Sequence, residues 1–160
     1  MKTIVLGLGN TLLGDDGVGI HTLRRAAEDW QAVDDHADKD VSFVDGGTLS
    51  FTLTEILHEA DNLIVIDAAQ LDSEPGTVRV FEDEVMDTFV GRGKYSSVHE
   101  VSLAELFDMA RLIDTLPVKR ALVGIQPQDV DWAEQPTPAV NAAIPLACQH
   151  VRSLLEAWRG

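Results

Sequence analysis

The chain has 160 residues, 45% of them hydrophobic and 24% charged, with 27 acids against 12 bases for a formal charge of −15. That is the size and balance of one soluble globular domain, residues 1–160, able to bury about two-thirds of the surface its unfolded form exposes. The acidic excess excludes a protein built mainly to grip nucleic-acid phosphates, and no apolar run approaches the roughly 20 residues needed to span a bilayer.

The chain opens on an apolar strand, Ile4–Leu6, that runs into Gly7 and Gly9, a tight loop, and then Asp15 and Asp16. Glycines interrupt this N-terminus too early for a secretory signal. Ile20, Leu23, Ala27 and Trp30 then recur at helical spacing, so a helix is predicted from about Asp16 to Gln31, with Asp15 or Asp16 as its N-cap. An acidic stretch, 34–40, reads as a solvated loop. The next strand, Val41–Val44, ends in Asp45-Gly46-Gly47. Thr52-x-x-Glu55 has the form of a capping box, and Leu53, Ile56, Leu57 and Ala60 mark a short helix.

Asn62–Ile66 holds four consecutive large apolar residues, the pattern of a strand buried on both faces, and it ends at Asp67. Pro75-Gly76 turns the chain into a further strand, Thr77–Phe81. Residues 82–98 show no clear periodicity. Ser97-x-x-Glu100 resembles a second capping box, and Leu103, Leu106, Phe107, Ala110 and Ile113 give a helix that places His99 near its start. Arg120–Ile125 is the last strand. Thr137-Pro138 then reads as an N-cap with proline at the first helical position, opening a long helix in which Pro145 should introduce a kink or delay the regular start. Strands alternating with helices predict a three-layer α/β/α sandwich around a twisted, mainly parallel sheet of about five strands.

Several chemistries fall away on inspection. Gly7-x-Gly9 begins a dinucleotide fingerprint, but its third glycine would fall at Leu12, and two acids at the helix start would repel a pyrophosphate. There is no G-x-S-x-G elbow. Cys148, the single cysteine, falls in the long helix and reads as a packed small hydrophobe; without an internal disulfide partner it fits a reducing cytoplasm, the expected location. What recurs is an acid beyond each of the first three strands: Asp15 and Asp16, Asp45, and Asp67. In a parallel sheet these ends share one edge, and His99, at another helix start, would be brought towards it. Two carboxylates and an imidazole form an open ligand set for a divalent ion of the Zn²⁺ or Ni²⁺ type, although acids at helix starts also serve as plain caps.

The run Gly7-Leu8-Gly9-Asn10-Thr11-Leu12-Leu13-Gly14-Asp15-Asp16-Gly17-Val18-Gly19 resembles the N-terminal signature of the nickel–iron hydrogenase maturation endopeptidases. The resemblance continues in family order through Asp45-Gly46-Gly47-Thr48, Ile66-Asp67-Ala68, Ser97-Val98-His99-Glu100, Gly124-Ile125-Gln126-Pro127 and Thr137-Pro138-Ala139-Val140. It implies a protease that removes a C-terminal extension from the precursor of the hydrogenase large subunit once nickel has been inserted. The implied metal-contacting and catalytic positions are Asp16, Asp67 and His99; the first is often glutamate in that family. Asp45, Gly46 and Gly47 would help position the substrate. Nickel would arrive on the substrate, and another divalent metal could take the same ligands in vitro. The implied partner is the large-subunit precursor, met by a monomer.

Two roles for the metal stay open: it, or a water on it, polarises the scissile carbonyl and supplies the nucleophile, or it serves only as a recognition handle while a carboxylate activates water. The alternative function is a non-catalytic nickel-binding protein that checks hydrogenase assembly with the same ligands. A peptidyl-tRNA hydrolase also opens on a strand and GLGN, but Thr11 stands where that family has proline, and the charge is wrong for tRNA.

Overall fold

Continuous apolar runs bounded by glycine and acid become the strands of the central layer. The computed structural model describes residues 1–33, 40–48, 53–92 and 102–159. Its strands are β1 (Thr3–Leu8), β2 (Val41–Gly47), β3 (Asn62–Ala68), β4 (Val78–Glu82) and β5 (Lys119–Ile125), in the spatial order β2-β1-β3-β5-β4. The first four positions in that order run parallel; β4 lies antiparallel against β5, with Val78 opposite Ile125 and Glu82 opposite Ala121. The expected mainly parallel sheet is therefore present, with one reversed edge.

Alternation along the strands sorts the core into two layers. Ile4, Leu6 and Leu8 of β1, Leu63 and Val65 of β3 and Leu122 of β5 face helices α2 (Leu53–Glu59), α3 (Asp83–Gly91) and α4 (Leu103–Leu112). Val5, Ile64, Ile66, Ala121, Val123 and Ile125 face α1 (Val18–Val33) and α5 (Pro138–Trp158). Both faces of the central strands are covered, which is why their sequences read as unbroken apolar runs rather than as alternation.

Three elements differ from the sequence reading. α1 starts at Val18, preceded by a 3-10 turn at Gly14–Gly17, so Asp15 and Asp16 lie before the helix and neither side chain caps it. α4 starts at Leu103, and its N-cap is Ser102, whose hydroxyl accepts from the Glu105 amide at 3.1 Å. The capping pair is thus Ser102 and Glu105, one box later than expected; Ser97, His99 and Glu100 lie outside the described residues, as does Thr52. α3 occupies the stretch without clear periodicity. Its buried positions, Met86 and Val90, are one turn apart, and Phe89 stacks on Phe81 of β4 with ring centroids 4.1 Å apart.

The long C-terminal helix begins at Pro138 and runs through Pro145 without a delayed start. Pro145 sits on the exposed side, as does Asn141, so the carbonyl left without an amide partner one turn earlier faces water. Among the described residues no helix is long and apolar enough to cross a membrane.

Candidate active site at the β1 and β3 carboxyl ends

The chain leaves β1 through α1 on one face of the sheet and passes to β2 on one side. It returns through α2 on the other face to β3, which continues the sheet in the opposite direction. The carboxyl ends of β1 and β3 therefore form a topological switch point, where open α/β sheets leave a crevice for ligands. Asp16 follows β1 and Asp67 is near the end of β3. Both are buried, at 7% and 1% exposure.

The glycines of the N-terminal motif explain how the loop closes onto this edge. Gly9 has φ +126°, and a Cβ there would stand 1.9 Å from the Asp16 carbonyl oxygen. Gly19, in the first turn of α1, packs so tightly that a Cβ would lie 2.4 Å from the carbonyl oxygens of both Leu8 and Ile66. The helix start is thus pressed against the last residues of both strands, immediately beside Asp67. These are demands for close approach, not for a nucleotide turn.

Asp16 is fixed by its own loop: its Oδ2 accepts from the Asn10 amide at 2.9 Å, and its amide donates to the Leu13 carbonyl at 3.0 Å. Asp15 points elsewhere. Its carboxylate, with no solvent exposure, accepts from the amides of Gln128, Asp129 and Thr137 at 2.9, 2.9 and 2.6 Å, and from the Thr137 hydroxyl. Burial alone pushes this carboxyl up, but the three amides and the hydroxyl outweigh it and hold the group below its ordinary value of 3.8. Backbone bonds extend the clamp: Gly14 donates to Ala133, Asp15 to Asp129, and Ala133 to Leu12. Asp15 is the support that binds the 128–137 loop to the site loop. This clamp, rather than the expected N-cap, is its role, and none of its four donors is near it in the chain.

Asp45, Gly46 and Gly47 end β2 next door, with Gly7 opposite Asp45 and a register shift before Leu8 meets Gly47. Asp45 is exposed, and its Oδ1 accepts from the Gly47 amide at 2.9 Å, stiffening the turn. Gly9, Asn10, Thr11, Asp45, Gly47 and Thr48 line one cleft of about 260 Å³, together with Ile20 and Arg24. The turn and the loop that fixes Asp16 therefore border the same space. Among the described residues no three His, Cys, Asp or Glu side chains gather into a metal cluster, and His99 lies outside those residues. Cys148 takes no part: it is buried between α5 and α1, its Sγ 3.6 Å from the Thr22 carbonyl, and its thiol is pushed up to about 11 by burial and the nearby Asp29 charge.

A sheet of this topology is shared with a known class of processing protease. The structure superposes on the hydrogenase maturating endopeptidase HybD from Escherichia coli with a TM-score of 0.85 and 28% identity, covering 98% of this chain and 93% of that one. The chain is also 35% identical to the hydrogenase expression/formation protein HupD of Rhizobium leguminosarum bv. viciae, over 98% of this chain and 75% of the relative. It is 32% identical to the hydrogenase 2 maturation protease of Escherichia coli K12, over 97% and 91% of the two chains. The sequence model of the hydrogenase maturation protease HycI matches residues 25–154. The chain belongs to the hydrogenase maturation protease family.

Proposed function

We propose that the protein is an endopeptidase that removes the C-terminal extension from the precursor of a nickel–iron hydrogenase large subunit, and that it recognises the nickel already carried by that precursor. The observation that carries this reading is the pair of buried carboxylates, Asp16 and Asp67, at the β1 and β3 carboxyl ends. Oxygen donors of this kind suit a divalent ion but leave its shell incomplete. His99 is proposed as the third ligand, so that one monomer supplies all three. Asp67 shares its strand parity with Leu63 and Val65, which face the layer containing α4, the helix that follows His99 in the chain.

The division of work follows from the positions. Asn10 holds Asp16 in place through its amide. Asp16, Asp67 and His99 would meet the metal on the substrate and set the scissile bond in register, so a precursor without nickel lacks the handle. The Asp45-Gly46-Gly47 turn, in the neighbouring cleft, would hold the peptide beside them. Hydrolysis adds one water across the bond, giving a carboxylate on the mature subunit and a free amine on the released peptide. In this reading either a carboxylate of the pair takes the proton from that water or the substrate's metal activates it.

The deciding experiment incubates the purified protein with nickel-loaded and nickel-free precursor and follows truncation by mass. Truncation of the loaded form alone is expected, and it should disappear in Asp16→Asn, Asp67→Asn and His99→Ala, each with an unchanged melting profile. Binding of the loaded form without truncation would replace the protease by a non-catalytic checking protein.

A further inference from the structure

The loop clamped by Asp15 carries a feature the cleavage site does not use. Trp132 is 79% exposed, Val130 51%, and Leu12, on the facing site loop, 51%. Isolated exposed apolar residues are ordinary, but these sit on two segments laced together. Ala133, next to Trp132, donates to the Leu12 carbonyl, and Leu13 and Ala133 form a β-bridge. Asp129 Oδ1 accepts from the Asp131 amide at 2.9 Å, bracing the turn between them. A large aromatic side chain held out to solvent on a backbone with this many ties is pre-organised, and tryptophan is the residue most enriched among interface anchors.

We propose that Leu12, Val130 and Trp132 form a docking patch for the folded body of the nickel-bearing precursor, apart from the tail that is cut; this rests on the function proposed above. Two observations select that occupant. The patch is continuous with the site: Leu12 is in the loop that positions Asp16, and the 128–137 loop hangs from Asp15, its neighbour in the chain. A folded protein bringing its metal to Asp16 would overlie this rim. The patch is also ringed by the exposed acids Asp129, Asp131 and Glu134, so its complement is an apolar depression with a basic border.

The test measures binding and cleavage separately, with nickel-loaded and nickel-free precursor as the two probes. The variant Val130→Ser/Trp132→Ser should keep its melting profile and bind both precursors at least about tenfold more weakly. Its KM should rise by a similar factor while kcat at saturating precursor is kept. Asp131→Lys/Glu134→Lys should weaken binding most at low salt. Asp16→Asn should instead weaken only the nickel-loaded form, which separates docking from metal recognition. Unchanged precursor binding by the double serine variant overturns the patch. So does a wild type that binds neither precursor, or a variant whose only change is the dissociation of a homodimer. A wild type that binds both precursors but truncates neither overturns the protease reading, and the binding ratios alone then decide the patch.

Discussion

Asp15 and Asp16 are neighbours with the same side chain, and both are buried, yet they are held by different partners. Asp16 receives one amide from its own loop, which leaves carboxylate capacity for a ligand. Asp15 receives three amides and a hydroxyl from a segment more than a hundred residues away, which leaves little for anything else. Asp15→Asn should therefore act on stability first, because an amide in this pocket turns an NH2 group towards amides that need an acceptor. A loss of about 2 to 3 kcal/mol is expected from hydrogen bonds to a charged group, read by urea unfolding at neutral pH. Cys148 gives the opposite expectation. With its thiol pushed up to about 11 and the side chain packed against α1, it stays protonated at neutral pH. Cys148→Ala should process precursor at the wild-type rate, and alkylating reagents should leave the native protein active; inactivation by a thiol reagent would show that the sulfur reaches the chemistry.

At the scale of elements, the site depends on how closely the first turn of α1 approaches the strands. Gly9→Ala must move the Asp16 carbonyl, since the added Cβ would stand 1.9 Å from it, and must also hold φ near +126° with a side chain present. A cost of about 2 to 3 kcal/mol is expected, with loss of processing even at temperatures where the variant stays folded; a processing rate equal to wild type would mean that the loop can reseat without disturbing Asp16. The sheet was legible because β1, β3 and β5 are buried on both faces, and a strand of that kind announces itself as an apolar run. The acids at the strand ends were legible for the same reason, since they stand where those runs stop. α3 was not legible because it starts with Asp83 and Glu84 and buries only Met86 and Val90 of its nine residues. What fixes α3 is non-local: Asp87 takes a two-pronged contact from Arg120 of β5 and a further one from Arg111 of α4. The Asp15 clamp is illegible in the sequence on the same ground, as its donors lie on a loop with no periodicity of its own.

Across the whole molecule, the −15 charge and these two anchored carboxylates pull stability in opposite directions as pH falls. At neutral pH the excess acids repel one another, and added salt should raise the melting temperature by screening them. Acidification towards the isoelectric point near 4.4 removes that repulsion. Asp15 and Asp87 work the other way. Burial raises both, but the amides around Asp15 and the Arg120 and Arg111 guanidinium groups around Asp87 prevail, so both sit below 3.8 in the folded state. A carboxyl depressed on folding contributes stability that is complete above its unfolded value and is lost as pH falls through its folded value. The urea midpoint of the wild type should therefore hold between pH 7 and about pH 5, then fall steeply once pH passes below 3.8. Asp87→Asn should cost about 2 kcal/mol at neutral pH, and its curve and that of Asp15→Asn should converge on the wild-type curve in strong acid. Convergence is the diagnostic result, because it shows that the stability came from the charged carboxylates. A gap that persists unchanged well below 3.8 would show that shape and packing at these two positions, rather than charge, hold the loop and α3 to the sheet.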